Sequence, residues 1–163
     1  MGIINKIQEL HKKPAYSLQF SKYECNSNGA RRVVNHVYLF NNLTDEYVAN
    51  TSILWWSDDK RTAILQQSGK TEDGKSGICV LDLKSGKEIV SCDSCSNIRA
   101  KNNYFIVGND RVMDGFDELY QTYCLYDRYG VLVVPALPKN EFDKISNKFF
   151  NANTNNKENE NTK

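Results

Sequence analysis

Residues 53–65 read Ile53-Leu-Trp-Trp-Ser-Asp-Asp-Lys-Arg-Thr-Ala-Ile-Leu65, and residues 78–90 read Ile78-Cys-Val-Leu-Asp-Leu-Lys-Ser-Gly-Lys-Glu-Ile-Val90. In each stretch, two short runs rich in apolar and β-branched residues flank a cluster of polar residues that favours a reversal of the chain. Each stretch therefore predicts a β-hairpin. Two hairpins in succession predict a four-stranded antiparallel meander.

The second hairpin recurs along the chain, each time around a polar anchor residue. The anchors are Asn41, Asp82 and Asp127, which lie 41 and 45 residues apart. An Asp or Asn side chain can accept hydrogen bonds from the N–H groups of the turn, and Gly86 and Gly130 supply the positive φ that the reversal needs. The spacing predicts a few similar β units in tandem.

The repeat resembles one blade of a β-propeller of the WD40 or quinoprotein-like type, through Trp56-Ser-Asp-Asp-Lys60 and then Val80-Leu-Asp-Leu-Lys-Ser-Gly-Lys87. Leu81 stands where a WD pair has an aromatic residue. The resemblance implies blades at about 16–48, 52–90 and 96–134. Because about four blades are needed to close a propeller, the expected fold is all-β, an open half-propeller-like array of about three antiparallel meander blades.

Helical spacing is found near the two ends of the chain. Residues 2–12 carry four apolar residues at this spacing, and residues 140–150 carry three Phe and one Ile. We therefore expect short N- and C-terminal helices, which would complete a single β-rich domain over 1–150. Residues 151–163 are rich in Asn and contain no large apolar residue, so they predict a disordered tail.

The overall charge excludes a strongly basic protein. The 163 residues include 21 Lys and Arg against 20 Asp and Glu, giving a formal net charge of +1. We expect no nucleic-acid partner, because binding through phosphate neutralisation requires a basic excess. We also expect no membrane association and a cytoplasmic location, since the sequence contains neither a long apolar run nor a signal-type apolar core.

The cysteines and histidines do not form a recognisable catalytic pattern. Five cysteines are an odd number, which argues against a disulfide framework. Cys92-Asp-Ser-Cys95 has the spacing of redox and zinc sites, but no second CxxC accompanies it and neither histidine is near it in sequence. A structural role is the favoured interpretation, with redox or metal chemistry as the alternative. We expect no enzymatic activity, no cofactor and no bound metal.

The most uneven charge lies in Asn109-Asp-Arg-Val-Met-Asp-Gly-Phe-Asp-Glu-Leu119, whose net charge is −3. This segment combines carboxylates with apolar side chains, which suits a protein-binding loop. A solvated acidic loop is the alternative interpretation. The candidate partner-binding residues here are Asp110, Asp114, Phe116, Asp117, Glu118 and Tyr120.

The Trp55-Trp56 pair adds one further candidate. Successive side chains of a strand point to opposite faces, so one ring is expected in the core and the other outside it. The match to the blade pattern places Trp56 in the core. Trp55 then becomes a candidate contact residue.

These observations favour a protein-binding inhibitor. In size and style the chain resembles the immunity proteins of bacterial toxin–immunity systems, such as contact-dependent growth inhibition. That resemblance implies a cognate toxin domain as partner, often a basic nuclease, whose active site the acidic segment would cover. The alternative is a homo-oligomeric propeller-like scaffold protein, at its simplest a homodimer, in which two chains share their open sheet edges.

Overall fold

The computed structural model describes residues 13–69 and 77–160. Over these ranges the chain forms three antiparallel sheets followed by one helix. The all-β class and the three-sheet organisation expected from the sequence are therefore confirmed. The helix predicted at 2–12 lies outside the described residues.

The first sheet contains strands β1 (Tyr16–Ser27), β2 (Ala30–Asn41) and β3 (Glu46–Tyr47), in that order. β1 and β2 pair along their whole length. Their connecting turn is Asn28-Gly29, with φ values of 51° and 76°. Positive φ at both turn positions matches a type I′ turn, which suits the right-handed twist of a hairpin.

The second sheet contains strands β4 (Thr51–Trp56), β5 (Thr62–Gln67), β6 (Gly77–Asp82) and β7 (Glu88–Cys92), in sequence order. The burial of β4 alternates: Ile53 and Trp55 are half-buried, and Trp56 is 38% exposed. Trp56 is thus not a core residue, contrary to the sequence-based expectation. Because alternate residues of a strand share a face, Trp55 takes the inner side together with Ile53.

The third sheet contains strands β8 (Asn97–Lys101), β9 (Tyr104–Asp114), β10 (Asp117–Asp127) and β11 (Leu132–Leu137), in the order β11-β10-β9-β8. Helix α1 (Lys139–Glu160) follows it directly. The helix is the one predicted at 140–150, and it continues into the segment that the sequence predicts as a tail.

Helix α1 packs its Phe residues on the third sheet. Phe142 and Phe150 are buried in one cluster with Leu125 of β10 and Val134 of β11. Burying a Phe side chain contributes about 1.5–3 kcal/mol, so this contact is a main source of stability for the sheet. The partly buried residues around the cluster are Tyr104, Ile106, Tyr123, Val133, Leu137 and Phe149.

The polar anchors of the repeat act as the sequence predicts. The side-chain oxygen of each anchor accepts a hydrogen bond from the backbone N–H two residues further on, at 2.9 Å for Asn41, 3.1 Å for Asp82 and 2.9 Å for Asp127. Gly86 and Gly130 in the same turns have φ values of 77° and 85°. Similar chemistry at the three repeat positions therefore gives the same local reversal.

The described residues divide into two compact units. One comprises 13–67 with 81–88, and the other comprises 68–69, 77–80 and 89–160. The three sheets span residues 16–47, 51–92 and 97–137, close to the bounds expected for the three blades. The meander order within each sheet is shared by propeller blades and by other antiparallel folds, so the likeness to a propeller stays a prediction.

Candidate protein-binding hairpin

The acidic segment forms the end of the β9–β10 hairpin, and we call residues 109–120 the acidic hairpin. The sequence suggests a loop here, whereas the two strands remain paired up to Asp114 and Asp117, which lie directly opposite each other. Gly115 and Phe116 make the two-residue turn, with φ of 64° at Gly115. Gly at the first of two turn positions is the requirement of a type II′ turn.

The acidic hairpin exposes large apolar side chains, in contrast to the base of the same strands. Phe116 at the tip is fully exposed, with a relative accessibility of 105%. Val112 and Leu119 form a cross-strand pair beside it, and both are exposed, as is Met113. Exposed apolar residues grouped in this way are typical of a protein-binding surface.

The carboxylates lie around the exposed Phe116. Asp114 and Asp117 flank the turn, and both are exposed, as is Asp110 nearer the base. Like charges directly opposite each other in an antiparallel pair are destabilising, so the Asp114–Asp117 pair is unfavourable for the free hairpin. A cationic partner placed over the tip would remove this repulsion.

The base of the acidic hairpin is held by contacts within its own unit. The ring of Tyr120 lies against Gly108, where an added Cβ would come within 2.6 Å of the ring. Tyr120 also makes an edge contact with Tyr123, at 5.9 Å between ring centroids. The N–H of Arg111 donates to the carbonyl of Cys95 at 2.8 Å. The tip is therefore carried on an ordered base.

A buried thiol lies beneath this base. The side-chain amide of Asn109 donates to the sulfur of Cys124 at 3.8 Å. Burial raises the pKa of the Cys124 thiol and also that of the neighbouring Tyr126 phenol. Both groups are therefore protonated at neutral pH.

The remaining predicted site residues are distributed as follows. Glu118 pairs with Met113 in the register of the acidic hairpin. Tyr120 belongs to the base, since it is half-buried against Gly108. Trp55 lies in β4 of the other compact unit. The chain thus brings five of the candidates together on the acidic hairpin, with Tyr120 supporting the tip from below.

The Cys92–Cys95 pair lies between β7 and β8. Cys92 ends β7, and the carboxylate of Asp93 accepts hydrogen bonds from the N–H of Cys95 at 2.9 Å and from the hydroxyl of Ser96 at 3.3 Å. The pair is thus part of a strand-to-strand turn and does not lie at a helix N-terminus, the setting that lowers the pKa of a reactive CxxC thiol.

Two further carboxylates outside the acidic hairpin have structural roles. The hydroxyl of Ser57 and the N–H of Arg61 donate to Asp59 at 2.6 and 3.0 Å, and these bonds lower the pKa of that carboxyl. Asp143 accepts from the ammonium of Lys139 at 2.7 Å, which raises the pKa of the lysine. The bonds to Asp59 shape the turn between β4 and β5, and the Lys139–Asp143 pair supports the first turn of α1.

Sequence reasoning missed a second exposed surface, on the first sheet. Alternate residues of β2, from Arg32 through Val34 and His36 to Tyr38, share one face with Tyr23 of β1. The tyrosines and His36 are exposed there. The alternation of these residues along β2 is visible in the sequence. Their grouping with Tyr23 depends on the pairing of β1 with β2.

The features described so far define an all-β chain with an exposed acidic hairpin. Within residues 13–69 and 77–160, no group of three or more His, Cys, Asp or Glu side chains is placed to hold a metal ion. Over the same ranges, no helix combines the length and the apolar character required to cross a membrane. The chain matches no protein-family model, and searches of curated proteins and of solved structures find no match to it.

Proposed function

We propose that this chain is a protein-binding inhibitor, an immunity protein that neutralises a cognate toxin domain in the cytoplasm by covering its active site. The observation that carries the proposal is the tip of the acidic hairpin, where the fully exposed Phe116 lies between Asp114 and Asp117. Phe116 is accompanied by the exposed apolar residues Val112, Met113 and Leu119, and a grouped apolar surface of this kind is typical of a binding site.

The apolar part of the tip supplies binding energy. Transferring an exposed Phe into a pocket of a partner is worth about 1.5–3 kcal/mol. Aromatic anchors surrounded by polar residues are typical of interface hot spots. Val112 and Leu119 extend the apolar surface along one face of the hairpin, so that Phe116 need not act alone.

The charged part supplies orientation and selectivity. The acidic hairpin has a formal charge of −3 in a chain of net charge +1, so a basic partner would be steered to this hairpin. A nuclease that binds phosphates through Lys and Arg offers such a surface in its active-site groove. Covering that groove with carboxylates would inhibit it by excluding its substrate.

The proposal is tested with the protein encoded by the adjacent reading frame, since an immunity gene normally lies next to the gene of its toxin. The toxin domain is expressed alone and together with this chain, and the affinity of the purified pair is measured by calorimetry. We expect that co-expression restores growth and that the two proteins form a stoichiometric complex. Absence of binding, or growth arrest unchanged by co-expression, would contradict the proposal.

Substitution of Phe116 locates the contact. We expect Phe116→Ala to weaken toxin binding by roughly 10- to 150-fold, which corresponds to the loss of about 1.5–3 kcal/mol. Leu43→Ala is the matched control, because Leu43 is also a turn residue and is 81% exposed. Equal affinities for both variants and the wild type would show that the hairpin tip is not the binding site.

A further inference from the structure

The first sheet carries a second hairpin whose charge is opposite to that of the acidic hairpin. We call residues 20–38 of β1 and β2 the cationic hairpin, which contains Lys22, Arg31 and Arg32 against Glu24, a net charge of +2. Arg31 and Glu24 form an exposed ion pair at 2.6 Å. The charge that remains on this hairpin, from Lys22 and Arg32, is wholly positive.

One face of the cationic hairpin combines a cation with aromatic rings. The β1–β2 register places Arg32, His36 and Tyr38 of β2 on the same side as Tyr23 of β1. His36 and Tyr38 are in contact at 4.2 Å between ring centroids, and Tyr38 contacts Tyr47 of β3 at 5.5 Å. We call this surface the aromatic face.

The aromatic face is also free of acidic residues along β1 and β2. Alternate positions on that side, from Ser17 to Ser27 and from Ala30 to Phe40, include no Asp or Glu. The opposite side carries Glu24 together with Lys22 and Arg31. Its Phe20 packs edge-on against Trp56 at 5.7 Å and lies under the ammonium of Lys60 at 4.8 Å. The aromatic face is therefore the side suited to an anionic and apolar ligand.

We propose that the aromatic face binds the acidic hairpin of a second copy of this chain. The two surfaces are complementary in charge, since Arg32 is a cation on a face without carboxylates along β1 and β2, and the acidic hairpin carries −3. They are also complementary in chemistry, since Asp114 and Asp117 would meet Arg32 while Phe116 packs on the exposed rings. Contact with Arg32 also offsets the repulsion between the two carboxylates.

This contact joins different surfaces of the two copies, so it is a head-to-tail interface rather than a symmetric one. It requires only this chain and does not depend on the proposed function. The acidic hairpin is the contact surface in toxin binding and in self-association, so a toxin bound to it would compete with self-association.

The mass of the wild-type chain in solution is the first test. Light scattering coupled to size exclusion should show a mass above that of the monomer that rises over about two decades of protein concentration. The mass should fall back when NaCl is raised from about 20 mM to about 500 mM, because salt screens exposed charges. A monomer under every one of these conditions overturns the proposal.

Charge reversal identifies the surfaces. We expect Arg32→Glu in one variant, and Asp114→Lys with Asp117→Lys in another, each to be monomeric. An equimolar mixture of the two variants should associate, because each then supplies the surface complementary to the other. Asp58→Lys and Lys148→Glu are controls at exposed positions outside both hairpins, and they should self-associate as the wild type does.

Three results would contradict this assignment. The first is self-association retained in either charge-reversed variant, and the second is a mixture that stays monomeric although circular dichroism shows both variants to be folded. The third is a monomeric wild-type chain that binds a labelled single-stranded oligonucleotide through Arg32, which would assign the aromatic face to nucleic acid instead. These three results are measured without the toxin. If the chain does not bind a toxin, none of them changes, so the two proposals can fail independently.

Discussion

The two carboxylates at the tip of the acidic hairpin lie where they cost stability. Asp114 and Asp117 are directly opposite each other across the strand pair, and repulsion between like charges at such positions is unfavourable. Other carboxylates serve the fold locally; Asp127, for example, accepts N–H groups of its own turn at 2.9 Å. A pair that opposes the fold is better explained by a contact with another molecule.

The repulsion at the tip leads to a prediction in which stability and binding change in opposite directions. Asp114→Asn keeps the shape of the side chain and removes one of the two charges. We expect the midpoint of thermal unfolding to rise slightly, by no more than a few degrees, while the affinity for the toxin falls. Calorimetric melting and titration of the same preparation measure both quantities.

The control for this variant is Asp58→Asn, at an exposed turn position whose carboxylate does not face another across a strand pair. It should leave the affinity unchanged. A lower melting temperature for Asp114→Asn would show that the carboxylate stabilises the hairpin, and would remove the argument that it is retained for binding.

At the level of elements, the turns were predictable because their chemistry is local. An Asp or Asn side chain that accepts an N–H of its own turn, followed by a residue of positive φ such as Gly86 or Gly130, specifies the reversal without reference to the rest of the fold. The acidic hairpin was mistaken for a loop because Asp and Gly are poor strand residues. The strands of the acidic hairpin continue the β9–β10 register, which begins with pairs such as Phe105↔Tyr126 and Val107↔Cys124. Local sequence patterns do not reveal this register.

One glycine in the repeat is required by tertiary packing as well as by its φ angle. Gly130 has a φ of 85°, and a Cβ at this position would lie 2.5 Å from the carbonyl oxygen of Ile89. We expect Gly130→Ala to lower the free energy of unfolding by more than about 2 kcal/mol, since left-handed strain of about 1–2 kcal/mol adds to the backbone clash. Urea denaturation measures the change.

Gly29→Ala is the matched variant for Gly130→Ala. Gly29 has a φ of 76° and no atom within 4 Å of the added Cβ, so its substitution introduces the left-handed strain alone. The difference between the two variants isolates the contribution of the Ile89 contact. Equal destabilisation by both variants would show that the close approach at Gly130 has no energetic effect.

Over the whole molecule, the net charge of +1 conceals two surfaces of opposite sign. The segment 109–119 is recognisable as acidic from the sequence alone. The cationic hairpin is hard to recognise in the sequence because Lys22 lies nine residues before the adjacent Arg31 and Arg32, and the pairing of β1 with β2 places the three residues on one hairpin. Strand register, which brings such residues together, is the information that composition lacks.

The three-sheet organisation was predictable for a different reason. Repeated hairpins of similar length recur at a nearly constant spacing, and repetition of this kind constrains the architecture more strongly than any single motif. The two candidate binding surfaces were only partly predictable. The acidic residues of 109–119 are close together in the sequence and indicate one surface. The aromatic face consists of alternate residues of β2 with Tyr23 of β1, and turn motifs give no information about it.

The most direct test of the account is amide hydrogen exchange of the chain with and without its purified toxin domain. Protection on complex formation should be greatest in the acidic hairpin, at residues 111–119, where open strand edges exchange readily in the free protein. Full protection of β5 and β6 in both states would serve as the internal reference. Protection confined to other parts of the chain, with residues 111–119 unchanged, would contradict the central claim that the acidic hairpin binds the toxin.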